Sequence, residues 1–186
     1  MKWIAFFSQT GSEIVEISRH LGRSPDMIVT NNRPAHLRTI NRDLLSLSPA
    51  LGITPNKPDL VDYLQKITHL TGDPNQTLIT LHGWLRIIPE EVIKTYPYIY
   101  NGHPGLISRY PELKGKDPQK KAWDLGLDTS GSVIHRVTSG VDEGPIILSK
   151  EIPIRNLSLD ELFESLHNTS INLWVQFLKR NWFPGE

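Results

Sequence analysis

The sequence predicts an α/β fold in which a mostly parallel sheet has helices on both faces and a C-terminal antiparallel hairpin. In the first half of the chain, short apolar runs alternate with segments whose apolar residues recur at helical spacing. That alternation is typical of parallel strands joined by crossover helices, as in Rossmann-like sheets. In the second half, two strand-like runs are separated only by a turn, which indicates a hairpin. The 186 residues are expected to form one domain, residues 1–186.

The first half opens with a predicted strand and a predicted helix. Trp3–Ser8 is an apolar run that leads into a Gly-containing turn. Ser12 is expected to cap the helix that follows, and Gly22 is expected to end it. The later predicted elements are, in order, a strand at Met27–Val29, a helix within Arg38–Leu47, a helix from Lys57 to Ile67, a strand at Thr77–Leu81, a helix at Pro89–Tyr96 and a strand at Tyr98–Tyr100.

The second half is predicted to contain two helices and the hairpin. Pro118–Leu125 has a helical pattern, while Ser132–Val137 and Pro145–Ile152 are strand-like with a short turn between them. Leu157–Lys179 is long and amphipathic, and Ser158 is a plausible N-cap for this last helix.

Composition excludes several classes of function. Twenty Lys and Arg balance twenty Asp and Glu, so we expect no nucleic-acid binding from the overall charge. The chain has no cysteine, which excludes disulfides and thiolate sites, and its seven His form no metal-binding pattern, so no metal is expected. No run approaches the ~20 apolar residues of a membrane span. We expect a cytoplasmic monomer or homodimer.

Two polar side chains stand out at the end of a predicted strand. Asn101 and His103 are two residues apart on an extended segment, so both can face one ligand. An imidazole can move protons near neutral pH, and an Asn amide can stabilise an oxyanion. Asp142 lies on the predicted hairpin turn. A surface His in a Gly/Pro loop and an Asp that caps a local turn are the alternatives, and spacing alone leaves both open.

A third candidate site is the first turn between strand and helix. Gly11, Ser12 and Glu13 precede or begin the first helix, whose N-terminal amides could hold an anion. The full dinucleotide fingerprint G-x-G-x-x-G is absent, so this turn alone is weak evidence for a nucleotide.

Four stretches resemble the folate-dependent formyltransferase family, in the family's order. Asn101–Ile107 resembles its Asn-x-His-Pro-Ser-Leu-Leu-Pro-like loop, and Leu81–Ile88 resembles its Gly-Phe-Met-Arg-Ile-Leu folate segment. Tyr110–Pro118, with Lys114-Gly115, is similar to the loop after the signature. Val141–Leu148 resembles Val-Asp-x-Gly-x-Ile-Ile-Leu, and the opening strand and turn are also similar. The length fits the shorter members, which formylate glycinamide ribonucleotide.

The resemblance implies an activity and a set of roles. A 10-formyltetrahydrofolate co-substrate would donate its formyl group to a small-molecule amine. Asn101 and protonated His103 would stabilise the oxyanion of a tetrahedral intermediate, and Asp142 would orient His103 and a water. The residues implied to bind the folate are Leu85, Arg86, Ile87, Ile88, Ser139, Gly140 and Val141. The acceptor would lie at Gly11, Ser12 and Glu13, with His135 and Gly115 in supporting roles.

The departures from the family pattern concern the acceptor. Gln9 stands where the family has the first Gly of its phosphate turn, and Glu13 stands where it has Asn. Gly102 replaces an apolar residue and Gly105 replaces the signature Ser. Because a carboxylate repels a phosphate, we expect glycinamide ribonucleotide to be a poor acceptor, and a neutral or cationic group to face this turn. A formyltetrahydrofolate hydrolase and a catalytically decayed folate- or nucleotide-binding protein are the alternatives.

Overall fold

The computed structural model describes residues 1–32, 38–47, 51–53, 60, 62–63 and 72–185. Within these ranges the chain separates into two compact units, Met1–Tyr100 and Asn101–Gly185. The strands are β1 (Lys2–Phe7), β2 (Met27–Thr30), β3 (Leu51–Ile53), β4 (Thr77–His82), β5 (Tyr98–His103), β6 (Thr129–Arg136) and β7 (Ile146–Pro153). The helices are α1 (Ser12–Leu21), α2 (Arg42–Leu47), α3 (Glu90–Thr95), α4 (Pro118–Asp124) and α5 (Leu159–Asn181).

The first unit is built on parallel strands. β1 pairs in parallel with β2 and β4, and β2 pairs in parallel with β3. The strand order is β3-β2-β1-β4-β5 here and β5-β6-β7 in the second unit, because β5 spans the division. β2 and β4 are buried along their whole length, and β1 is buried after Lys2. Strands buried on both faces read as continuous apolar runs, which is why the sequence reveals β1 so clearly.

The second unit combines the hairpin with α4 and α5. β6 and β7 pair antiparallel, with a β-bulge where Ile134 faces Leu148 but His135 faces Ile146. Ser158 caps α5 and forms a capping box with Glu161, as the sequence predicts for this N-cap. The apolar core of this unit comprises Leu106, Ile107, Leu113, Ala122, Val133, Ile154, Leu162 and Leu166.

Several predicted boundaries differ from the structure. Ser12 is the first residue of α1 rather than its cap: Gly11 occupies the N-cap position with φ 72° and without a side-chain hydrogen bond to the helix. β5 continues beyond Tyr100 to His103, so Asn101 and His103 lie within a strand. β3 has no predicted counterpart, and the predicted helix from Lys57 to Ile67 lies largely outside the described residues.

Candidate active site

The end of β5 carries Asn101 and His103 with a glycine between them. Asn101 is partly exposed, while His103 is buried. A β-carbon at Gly102 would lie 2.5 Å from Nε1 of Trp174, a fully buried residue of α5. The indole of Trp174 therefore occupies the space that a side chain at residue 102 would need. This packing gives a physical reason for glycine where the family pattern has an apolar residue.

The imidazole of His103 is held by the backbone of the following loop. Nε2 lies 2.8 Å from the carbonyl oxygen of Leu113. A carbonyl can only accept, so Nε2 carries a proton and donates it to Leu113. Nδ1 then lies 3.4 Å from Oδ2 of Asp142. The ring is thus fixed in one orientation, with Nδ1 as the nitrogen that gains or loses a proton.

Asp142 lies where the sequence predicts, between β6 and β7, and both of its carboxylate oxygens are engaged. The backbone N–H of Gly115 donates to Oδ2 at 2.9 Å, and the side-chain amide of Asn101 donates to Oδ1 at 3.3 Å. Asp142 has φ 51°, a left-handed conformation that non-glycine residues adopt rarely. Backbone strain of this kind persists where surrounding contacts fix the residue, and here the contacts are those of the candidate site.

His135 joins the same cluster from β6. Its Nδ1 lies 3.0 Å from the carbonyl oxygen of Arg136, and its Nε2 lies 3.1 Å from the side-chain amide nitrogen of Asn101 and 3.2 Å from Oδ1 of Asp142. The bulge after Ile134 changes the pairing at this residue. Bulges beside functional sites commonly re-aim a side chain. His135 therefore contacts both Asn101 and Asp142, and its supporting role stays a prediction.

The surroundings lower the pKa of both titratable groups that face each other in the cluster, Asp142 and His103. Burial would raise the pKa of Asp142, but the hydrogen bond with His135, the charge of His103 and the Gly115 amide outweigh it and lower the pKa to about 2. Burial lowers the pKa of His103, against the raising effects of Asp142 and the Leu113 hydrogen bond, and His135 and Lys121 lower it further. Near neutral pH the resting cluster therefore holds an anionic carboxylate beside a mostly neutral imidazole.

Two glycines near this cluster meet specific steric demands. Gly115, predicted to support the site, has φ 80° and supplies the amide that binds Asp142. A β-carbon at Gly105 would lie 2.9 Å from Cβ of Pro118 and 3.2 Å from Nε2 of His103. Gly105 thus leaves room for the imidazole at the position where the family signature has Ser.

The first segment predicted to bind the folate, Leu85–Ile88, follows the end of β4 in the first unit. The backbone N–H of Leu85 donates to Oγ of Ser8 at 2.8 Å, which ties this segment to the end of β1. Leu85 and Ile87 are 56% and 55% exposed, Arg86 is exposed, and Ile88 is buried. Two large apolar side chains are thus exposed to solvent on one short segment. An exposed apolar surface of this kind could be covered by the flat ring system of a folate.

The other predicted folate-binding residues lie on the turn of the hairpin, in the second unit. Ser139 is exposed, Gly140 is partly exposed, and Val141 is 54% exposed. All three directly precede Asp142 in the chain.

The predicted acceptor turn contains a hydrogen-bond chain that the sequence did not reveal. Oε1 of Glu13 lies 2.8 Å from Nδ1 of His82, and Nε2 of His82 lies 2.8 Å from Oγ1 of Thr80. The indole N–H of Trp3 donates to the same Thr80 oxygen at 2.8 Å. Thr80 and His82 are two apart at the end of β4, so they share a face, and that spacing was the available signal.

Gly11 and Ser12, the other two residues of this turn, adopt a compact geometry. A β-carbon at Gly11 would collide with Leu44, and the left-handed φ of Gly11 also favours glycine. Oγ of Ser12 contacts Oγ1 of Thr10 at 2.5 Å.

The described residues contain neither a metal-binding group of side chains nor a membrane-spanning helix. No group of three or more His, Cys, Asp or Glu side chains there is arranged to hold a metal ion. Among the described helices, none has both the length and the apolar character needed to cross a bilayer.

Comparisons with known proteins point to the same family that the sequence motifs resemble. The formyl transferase family model matches residues 1–178. A phosphoribosylglycinamide formyltransferase of Bacillus subtilis (strain 168) is 31% identical over 110 residues, which are 58% of this chain and 50% of that protein. The crystal structure of the phosphoribosylglycinamide formyltransferase from Streptococcus pneumoniae TIGR4 superposes with a TM-score of 0.78 at 25% identity, covering 96% of this chain and 97% of that one.

A formyltetrahydrofolate deformylase from Pseudomonas syringae pv. tomato shares the fold, with a TM-score of 0.73 at 18% identity over 95% of this chain and 60% of that one. The match to the Bacillus relative spans about half of that protein's length. The family model, by contrast, covers nearly all of this chain and includes every residue of the Asn101–His103–His135–Asp142 cluster. The chain therefore belongs to the formyl transferase family.

Proposed function

We propose that this protein transfers a formyl group from a 10-formyltetrahydrofolate-type donor to an amine. The observation that carries the proposal is the convergence of two groups on the Asp142 carboxylate: the Asn101 amide lies within hydrogen-bonding distance of it, and the His103 imidazole within ion-pair distance. Acyl transfer to an amine needs a donor for the developing oxyanion and a group that moves the amine's proton. This cluster supplies both.

The proposed reaction begins with attack of the amine nitrogen on the formyl carbon, which forms a tetrahedral intermediate with an oxyanion. An N–H of Asn101 stabilises that oxygen, an interaction worth about 3 kcal/mol in related oxyanion sites. The amine's proton passes to the His103–Asp142 pair, directly or through a water, and the imidazolium then helps to hold the oxyanion. The C–N bond to the folate breaks, and the folate nitrogen takes the proton from the pair.

The resting state of His103 fits this order of events. Because burial lowers its pKa, the ring starts mostly neutral near neutral pH and can accept the proton of the attacking amine. The anionic Asp142 then favours the imidazolium, since opposite charges at this separation stabilise each other. The protonated His103 that the family mechanism implies is thus, in our proposal, a state reached during the reaction.

The acceptor is the least specified part of the proposal. Relatives named phosphoribosylglycinamide formyltransferases suggest glycinamide ribonucleotide or a similar nucleotide amine. Glu13 places a carboxylate in the first turn of α1, where its Oε1 lies 2.8 Å from Nδ1 of His82. We therefore propose an acceptor with a neutral or cationic group at this turn, such as an amino-sugar nucleotide or a modified base.

The test is consumption of 10-formyltetrahydrofolate with and without a panel of amines. Amine-dependent formation of a formylated product supports the transferase. Turnover without amine would instead indicate a hydrolase, and binding without turnover would indicate a decayed binding protein. His103→Ala and Asp142→Asn should each remove most turnover while leaving the fold intact, whereas Asp124→Asn, on the exposed side of α4, should leave it unchanged.

A further inference from the structure

Three consecutive residues, Leu113–Gly115, present their backbone to three different side chains. The carbonyl of Leu113 accepts from Nε2 of His103 at 2.8 Å, and the N–H of Gly115 donates to Oδ2 of Asp142 at 2.9 Å. Between them, the carbonyl of Lys114 accepts from Nζ of Lys121 at 2.7 Å. One short segment therefore orients both partners of the proton-transfer pair, and Lys121 holds its middle residue.

The local conformation of this segment needs support from outside. Gly115 has φ 80°, and Asp117, two residues later, has φ 53°. Both residues therefore lie in the left-handed region. The core contact of the segment is the fully buried Leu113 at its start. Lys121, on α4, holds the next residue of the segment by donating to the carbonyl of Lys114. A charge-assisted hydrogen bond of this kind is among the stronger single contacts in proteins.

We propose that Lys121 is a positioning residue of this site. Its ammonium fixes the Lys114 carbonyl, and the fixed backbone aligns His103 with Asp142. This inference rests on the proposed function, because it concerns the same cluster. It adds a residue outside the family motifs, on helix α4, whereas the groups proposed to act on the reacting atoms lie on β5 and on the hairpin turn.

The charge of Lys121 also acts on His103. The titratable and charged groups that face this imidazole are Asp142 from the hairpin, His135 from β6 and Lys121 from α4. Asp142 raises the pKa of His103, whereas His135 and Lys121 lower it, after burial itself has lowered it. Removal of the ammonium should therefore let His103 keep its proton to higher pH.

The experiment compares Lys121→Met, Lys121→Arg and Lys120→Met. The methionine keeps the length of the lysine stem but has neither charge nor donor, while arginine keeps both. Lys120 is the matched control, since it is the neighbouring lysine on α4 and pairs with Asp124 at the surface. We expect Lys121→Met to lower kcat by about ten- to a hundredfold with a smaller change in KM. Lys121→Arg should recover much of this loss, and Lys120→Met should behave as wild type.

Two readouts do not require turnover. NMR titration of the His103 ring should shift to higher pH in Lys121→Met but not in Lys120→Met, and amide exchange of Gly115 should quicken in Lys121→Met alone. A variant that only melts at lower temperature, with the His103 titration and Gly115 exchange as in wild type, would overturn the inference. Absence of turnover in wild type would instead overturn the proposed function, so the two failures remain distinct.

Discussion

Asp142 contacts several groups of the candidate site, yet its position in the sequence left two roles open for it. A turn residue is a common use for Asp, and the hairpin position alone did not separate turn from catalyst. The structure shows both carboxylate oxygens in contact with other groups and the backbone in a left-handed conformation. No pattern in the sequence signals that conformation, because it results from contacts with residues on β5, β6 and the loop before α4.

The lowered pKa of Asp142 predicts a pH dependence of folding. A carboxyl whose folded pKa is about 2, against 3.8 when unperturbed, contributes stability that is present above pH 3.8. The contribution, on the order of 2 kcal/mol, is lost as pH falls through the folded pKa. We expect the difference in unfolding free energy between wild type and Asp142→Asn to be largest near pH 5 and to shrink toward pH 2. Denaturant titrations across this range check it, and a constant difference would refute it.

Glu13 predicts how the protein chooses its acceptor. A carboxylate within a few Å of a phosphate disfavours binding by on the order of 1–4 kcal/mol, depending on solvent screening. We expect poor kcat/KM for glycinamide ribonucleotide in wild type and a rise of about tenfold or more in Glu13→Asn. Glu16→Asn, on the same helix and paired with Arg19, is the control and should change nothing. Wild-type turnover of glycinamide ribonucleotide that matches the best other amine would contradict the prediction.

At the scale of elements, β5 and α5 meet at the candidate site through one glycine and one tryptophan. Gly102 separates Asn101 from His103, and Trp174 fills the space beside it. The sequence shows an unusual glycine, but the reason for it lies seventy-odd residues away, on a helix whose packing no local pattern specifies. For the same reason the three-residue β3 escaped prediction, since its pairing with β2 rather than its own sequence makes it a strand.

Gly102 can be tested together with its tryptophan. Gly102→Ala should destabilise the protein by about 1–3 kcal/mol through overpacking and should lower kcat by displacing Asn101 and His103. In a Trp174→Phe background the smaller ring leaves room, so the same substitution should have a smaller effect on both quantities. A double-mutant cycle measures this coupling. Equal effects of Gly102→Ala in both backgrounds would show that the two residues act independently.

Element ends were predicted best where a local hydrogen bond defines them. Ser158 is the N-cap of α5, and its capping box involves only Ser158 and Glu161, so a local pattern is enough to locate this helix start. Ser12 looked equally suitable for α1, yet the left-handed Gly11 before it already turns the chain, so Ser12 enters the helix. A capping residue and a first helical residue of the same type cannot be told apart without the backbone angles.

At the scale of the whole molecule, binding of the expected folate donor can be tested through protein stability, without any turnover. A ligand at 100 times its dissociation constant adds about 2.7 kcal/mol of stability. For a chain of this size that raises the melting temperature by roughly 5–10 °C. We expect 5-formyltetrahydrofolate to produce such a shift, and Ile87→Asp to reduce it. Leu125→Asp, equally exposed at 55%, should leave the shift intact. No shift at concentrations well above micromolar would rule out the folate.

The bulge in the hairpin has a consequence for which changes this protein can tolerate. One extra residue on β7, Ile147, separates the regular pairing of Ile134 with Leu148 from the pairing of His135 with Ile146. Because side chains alternate along a strand, this extra residue decides which face of the sheet Ile146 and the residues between it and the turn present. Substitutions at the exposed Ile147 should therefore be mild, whereas its deletion would break the pairing of Ile146 with His135 and shift the turn that carries Asp142. The number of residues on β7 therefore matters to the candidate site, although no reacting atom lies on that strand.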